Sequence, residues 1–155
     1  MVVRRSERKQ GDPDLGVLAG QLLFAVQEQL FETLAHQGHS HLRPQHGAVL
    51  AYLDPEGSRA TDIARHSGLH KQVVGKLLDE LETLGYVERR PDPADRRAKL
   101  ILPTALGLDQ MTRSDAILAA VEQHHADAIG VEAYAAFKRL FTHVVRQQRA
   151  WRDQA

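Results

Sequence analysis

Apolar residues recur at spacings of three and four along most of the chain, the period of an amphipathic helix. Leu15, Leu18, Leu22, Val26, Leu30 and Leu34 form one stripe on a helix expected from Asp14 to about Gln37, and Leu23, Phe24 and Phe31 widen it. Gln37-Gly38 closes that helix, because glycine suits a left-handed cap. So broad a stripe is covered either by a second chain or by packing within one, and periodicity does not choose between them. After a connector from His39 to Arg43, Pro44 fits the first turn of a second helix carried by Gln45 to Leu53. Asp54-Pro55-Glu56-Gly57 reads as a turn, and Ser58-Arg59-Ala60 as one short strand. Thr61 is the N-cap expected for a short helix from Asp62 to His66 or Ser67, with an acid in its first turn. Gly68 ends it, and Leu69-His70 is a tight turn.

From Lys71 to Leu84 the helical period returns, with Val74, Leu77, Leu78, Leu81 and Leu84 on one face and Gln72, Val73, Lys76 and Asp79 on others. Beyond Gly85, Tyr86 to Arg90 reads as a strand, Pro91 to Arg96 as a turn tip and Arg97 to Leu102 as the returning strand. Thr104 can cap a helix to about Ile129, Gly130 breaks it, and Val131 to Trp151 is a last helix. Tyr134, Phe137, Leu140, Phe141, Val144 and Val145 share one side of it. Met1 to Pro13 is polar and basic and is expected to be a mobile tail.

Between Pro44 and Leu102 the order is helix, short strand, helix, tight turn, helix, strand, basic turn, strand. That order is a winged helix-turn-helix within a mainly α chain, with a small two- to three-stranded wing. Two short helices crossing at a fixed angle let the second present its N-terminal residues to a major groove about 12 Å wide.

The stretches RATDIARHSGLHKQVVGKLLDELETLGYVERR and PDPADRRAKLILPTALG resemble the MarR family of bacterial transcription regulators. KQVVGKLLDELE is similar to one branch of that family that also carries glycine inside the recognition helix. The resemblance implies a homodimer, with residues 14–43 and 104–152 as a helical dimerisation region and 44–103 as the DNA-binding domain. It also implies a palindromic operator read in successive major grooves, more often repression than activation, and release by a small ligand bound between the dimer core and the winged domain. His70 departs from the Ser or Thr usual at this turn in the family, and Pro103 from the Leu often found before the capping Thr.

The candidate DNA-binding residues are His70, Lys71, Gln72, Val73, Gly75 and Lys76 at the start of the third helix, and Arg96, Arg97 and Lys99 in the wing. The lysines suit phosphate or guanine, Gln72 an adenine edge, and Val73 a thymine methyl. Gly75 costs about 1 kcal/mol of helix stability relative to Ala. Either close approach to DNA or a close helix–helix contact accounts for it. Asp95 can hold an arginine by a charge-assisted hydrogen bond. By the resemblance Arg97 is the minor-groove arginine, with Arg96 as the alternative.

Charge and composition narrow the classes. The 155 residues carry 20 Lys+Arg, 20 Asp+Glu and nine His. Zero net charge argues against a histone-like protein held by bulk charge, and does not exclude a local basic surface. The absence of cysteine excludes disulfides, Cys-ligated zinc and thiol redox sensing. No apolar run approaches the ~18–20 residues of a membrane span, and the N-terminus lacks a signal-peptide core, so a cytoplasmic protein is expected. No Gly-rich phosphate loop or nucleophile elbow points to an enzyme, and no cofactor is implied.

The partners expected are double-stranded DNA, a second copy of the chain and a small anionic or aromatic effector. His41, Arg43, His46 and Arg113 are the candidate ligand residues, from their expected position between the subdomains. His36, His39 and His41 are weak candidate metal ligands, because imidazoles bind zinc well. A zinc-responsive regulator of the same fold, and a winged helix that binds protein instead of DNA, are the alternative readings.

Overall fold

A computed structural model of the chain describes residues 11–154. Most of the proposed N-terminal tail, residues 1–10, lies outside them. The described chain is mainly helical with one three-stranded antiparallel sheet, and it divides into two compact units, one ending at Asp115 and the other beginning at Ala116.

In the first unit, α1 spans Leu15–Leu34, and the Asp14 carboxylate caps it by accepting from the Val17 N–H at 3.0 Å. A wider turn, Ala35–His39, closes the helix at Gly38, whose φ of 100° is the left-handed conformation expected there. The regular helix is therefore three residues shorter at this end than its apolar period suggests, Leu34 against Gln37.

Pro44 opens α2 (Pro44–Leu50), which ends before the expected Leu53. β1 (Ser58–Arg59) leads directly into α3 (Ala60–Ser67). Thr61 is not the cap of α3. Arg59, still paired in the sheet, occupies the capping position without a side-chain capping bond, so helix and strand abut with no spare residue. α4 (Lys71–Thr83) buries Val74, Leu77, Leu78 and Leu81 against α2, α3 and the sheet, the face its period predicted.

β2 (Val87–Asp92) and β3 (Asp95–Pro103) pair from Val87↔Pro103 to Pro91↔Lys99, and β3 also pairs with β1. The hairpin is longer than expected: its turn is Pro93-Ala94, and Pro91, Asp92, Asp95 and Arg96 belong to its strands, with Arg97 in β3 as expected. A register shift between Pro91 and Asp92 leaves Arg96, Arg97 and Ala98 without residues opposite them.

α5 (Ala105–Ile129) starts as expected at Thr104, whose Oγ1 accepts from the Gly107 N–H at 3.2 Å and donates to the Gly85 carbonyl at 2.6 Å. A side chain at Gly107 could not be accommodated, since its Cβ would stand 2.2 Å from the Tyr86 carbonyl oxygen. That close approach fixes the start of α5 on the root of the wing. In the second unit, α6 (Val131–Gln154) is tied to the end of α5 by Lys138–Glu122 at 2.6 Å and by His125 stacked on Tyr134. No residue of α6 is buried. Among the described residues no helix is long and apolar enough to cross a membrane.

Candidate nucleic-acid interface

The apolar face of α4 fixes what its other face presents. With Val74, Leu77 and Leu78 inward, Lys71, Gln72, Val73 and Lys76 point outward and are exposed, and Gly75 is half-buried. His70 is the N-cap residue of α4, with extended backbone and no side-chain capping bond. The first N–H groups of α4 therefore lack a side-chain cap and are positioned to meet a phosphate. Gly75 has no close neighbour, because a Cβ there would meet nothing within 4 Å. Of the two explanations for this glycine, a helix–helix contact within the described chain is thereby removed.

Ion pairing sorts the basic residues of the wing. Arg89 is held by Asp79 at 2.7 Å and by Glu82, and Arg90 by Glu88 at 2.6 Å. Lys71, Lys76, Arg96, Arg97 and Lys99 form no ion pair among the described residues. On α4 and the wing these five are the cations left for an outside partner.

Asp95 does not hold an arginine side chain. Its carboxylate accepts the backbone N–H of Arg97 at 3.0 Å, which shapes the bulged segment instead. The residue that secures the wing is Asp92, which composition and spacing did not single out. It is buried, and it accepts the Ala94 N–H at 2.8 Å, Arg59 Nε at 2.7 Å and Arg59 Nη2 at 2.6 Å. The Ala94 N–H, and then the Arg59 guanidinium, hold the Asp92 carboxyl below the usual carboxylate range. Only the sequence Asp-Pro-Ala, a turn signal, hinted at it; its partner stands 33 positions away.

The histidines divide between wall and core. His39 and His46 are 1% and 2% exposed. His39 donates from Nε2 to Asp109 at 3.0 Å, and its Nδ1 accepts from the Tyr86 hydroxyl at 2.8 Å. Arg113 binds the same Asp109 at 2.8 Å. The Arg113 guanidinium, and then His39, hold the Asp109 carboxyl below its ordinary value. His46 accepts the Arg43 N–H on Nδ1 at 3.0 Å and donates from Nε2 to Glu80 at 3.0 Å. Both rings have both nitrogens engaged, so neither is an available metal ligand. His36 and His41 are exposed, and among the described residues no three His, Asp or Glu side chains gather at one point. The weak metal set His36, His39 and His41 is thus not assembled.

A cavity of about 600 Å³ lies beside α4, lined by Ser40, His41, Arg43, His46, Lys76 and Glu80 among others. Three of the candidate ligand residues meet here. Arg113 does not line it, because it is committed to Asp109.

The sequence profile of the MarR family matches residues 42–98, the segment that carries α2 to the outer part of β3. By its winged helix, the segment 42–98 resembles the MarR family. No curated protein matches it in sequence. Among solved structures it is similar to CouR from Rhodococcus jostii RHA1 bound to p-coumaroyl-CoA, at 27% identity and TM-score 0.68 over 84% of this chain and 91% of that one. The transcriptional repressor CouR bound to a 23-mer DNA duplex superimposes with TM-score 0.70 at 23% identity, over 94% of this chain and 99% of that one. PcaV from Streptomyces coelicolor, in complex with its natural ligand, gives TM-score 0.67 at 22% identity over 94% and 98%. The proteins that this chain resembles are transcriptional regulators, a class distinct from enzymes.

Proposed function

We propose that this chain acts as a homodimer that represses transcription from a palindromic operator and is released by a small ligand. The observation that carries the reading is that the recognition helix and the wing both present unpaired cations: Lys71 and Lys76 on the outward face of α4, and Arg96, Arg97 and Lys99 on the wing. Gln72 and Val73 stand beside the lysines, offering a bidentate amide and an apolar contact to base edges. His70 and the uncapped start of α4 approach a phosphate. Gly75 lets the helix backbone come close to the duplex. Arg97, or Arg96 beside it, enters the minor groove. Asp95 shapes the segment that carries them, and Asp92 anchors it.

Dimerisation by residues 14–43 and 104–152 is supported by what α1 and α6 leave uncovered. Phe24 is 74% exposed and Leu140 is 67% exposed, with Leu15, Leu18, Leu23 and Phe137 also on the surface. Large apolar side chains left exposed on each of these helices are the kind of surface that a second copy covers. The CouR structures, one with DNA and one with p-coumaroyl-CoA, support a regulator of this type that takes both DNA and a small effector. In this chain His41 and Arg43 are the ligand-facing groups of the cavity, and His46 sets its wall through Glu80.

The test is a binding titration on the DNA flanking the chain's own gene and on scrambled duplexes. The parent protein prefers one flanking duplex. Gln72→Ala loses about 1–3 kcal/mol of that preference for each base pairing lost, with little change on scrambled DNA. Equal binding of all duplexes by the parent protein would overturn the reading.

A further inference from the structure

The winged helix, residues 44–103, is joined to α1 and to α5 by two short segments, one after His39 and one at Thr104. A single hydrogen-bonded joint crosses both. His39 closes the wider turn that follows α1 and is buried. Its Nδ1 accepts from the Tyr86 hydroxyl at 2.8 Å, and its Nε2 donates to Asp109 of α5 at 3.0 Å. Tyr86, also buried, stands at the root of the wing, one residue before β2. Its backbone N–H donates to the Leu81 carbonyl in the last turn of α4 at 2.9 Å, and its carbonyl accepts the Thr104 N–H at 3.0 Å. The end of α1, the recognition helix, the wing and the start of α5 are thus tied together through His39 and Tyr86.

These bonds are directional, and the groups that make them are closed off from water. A buried ring nitrogen or hydroxyl that loses its partner finds no water to replace it. Turning the winged helix about either connecting segment would break one of them. Gly107 adds a steric stop, because α5 passes so close to the Tyr86 carbonyl that a Cβ would not fit between them. The surface end of the joint is Asp109, whose exposed carboxylate also binds Arg113 at 2.8 Å.

We infer that the joint formed by His39, Tyr86 and Asp109 sets the half-site spacing that the dimer accepts, as positioning residues that do not touch DNA. The inference rests on the dimeric reader proposed above. In a dimer built on α1 and α5, the angle between those helices and α4 fixes where the two copies of α4 stand. Each base pair added between half-sites moves the second by about 3.4 Å along the duplex and turns it by about 35°. A stiff joint cannot follow both changes, so one spacing is preferred. A joint that lacks a bond lets each winged helix swing after the displaced half-site.

The test is a titration of the full-length protein on duplexes carrying its selected half-sites at the preferred spacing, one base pair closer and one base pair further apart. The parent binds the preferred spacing at least ~10-fold more tightly than either neighbour. Tyr86→Phe cuts the joint at the wing, and Asp109→Ala cuts it at the surface of α5. Each narrows the ratio to less than ~3-fold while still preferring the selected half-sites to scrambled ones. Asp109→Asn keeps an oxygen that accepts from His39 and keeps the parent's ratio. Ile63→Val removes a methyl from a buried side chain of α3, lowers the melting temperature and leaves the ratio unchanged, which separates positioning from stability. Melting curves and sedimentation establish that each variant is a folded dimer. The inference is overturned if Tyr86→Phe or Asp109→Ala, folded and dimeric, keeps the parent's ratio, or if Ile63→Val narrows it as much as they do. A parent indifferent to spacing overturns the dimeric reader as well, so the parent alone tells the two failures apart.

Discussion

Gly75→Ala should move stability and DNA affinity in opposite directions. Gly75 sits in the second turn of α4, between buried Val74 and exposed Lys76, and an added methyl would meet nothing within 4 Å. In a helix interior glycine is about 0.5–1 kcal/mol less favourable than alanine, because it loses more backbone freedom on folding. With no clash to offset that gain, the free alanine protein should be more stable by this amount, which raises Tm by about 1–4 °C for a protein of this size. On DNA the same methyl stands between helix and duplex. An extra methyl in a packed contact costs about 1–3 kcal/mol, or about 5–150-fold in affinity at each half-site. Thermal melts without DNA and binding titrations with it read the two effects separately. An alanine protein that melts earlier would reveal a contact that the fold does not show. One that is more stable and binds DNA as tightly as the parent would refute the close approach of α4 to the duplex.

Arg97→Ala should reduce the magnitude of the DNA-binding salt slope by roughly 1 per lost contact on operator and scrambled duplexes alike, whereas Arg90→Ala, whose guanidinium is already paired with Glu88, should change it much less. Equal slopes for the two variants would remove Arg97 from the interface. Tyr86→Phe removes the hydroxyl that His39 accepts at 2.8 Å and leaves a buried acceptor unsatisfied, so urea denaturation should show a loss of about 1–3 kcal/mol. A loss below ~0.5 kcal/mol would mean that the buried His39 network contributes little. Glu80, Asp92 and Asp109 are all held below their ordinary carboxyl values, by His46, the Ala94 N–H and Arg113 first among their partners. The folded protein therefore binds fewer protons than the unfolded one in acid. The stabilisation is complete above the ordinary carboxylate range and is lost as pH falls through and below about 4. Asp92→Asn should accordingly show a shallower loss of stability than the parent between about pH 6 and pH 3, and an unchanged acid profile would refute the role of this carboxylate.

Much of the fold was legible because burial and period coincide. In α4, Val74, Leu77, Leu78 and Leu81 define one buried face, and the outward residues follow by subtraction. The capping bonds of Asp14 and Thr104 and the left-handed turn at Gly38 are local features, and each ends or starts a helix as read from the chain. Thr61 was misleading because the pairing of Arg59 with Leu100 draws the start of α3 back to Ala60. The wing was read too short because two prolines and an aspartate made Pro91 to Arg96 look like turn, whereas Pro91, Asp92, Asp95 and Arg96 belong to the strands and only Pro93-Ala94 turns. Asp92, His39 and His46 were illegible for a different reason. Each is a polar residue buried by partners distant in sequence: Arg59, Asp109 and Glu80. The histidines around the connector suggested metal, whereas the fold turns His39 there and His46 in α2 into hydrogen-bonded core. The five unpaired cations of α4 and the wing could be grouped from the sequence, but only the ion pairs of the fold separate them from the equally basic Arg89 and Arg90.

Selection of binding sites from a pool of random DNA duplexes by the purified full-length chain tests the central claim most directly. Two copies, each presenting α4 to a major groove, should enrich an inverted repeat whose half-sites lie about 10–10.5 base pairs apart, one helical turn of roughly 34–36 Å. Enrichment of a single unrepeated motif, or of no motif at all, would contradict a dimeric reader built on α4 and the wing.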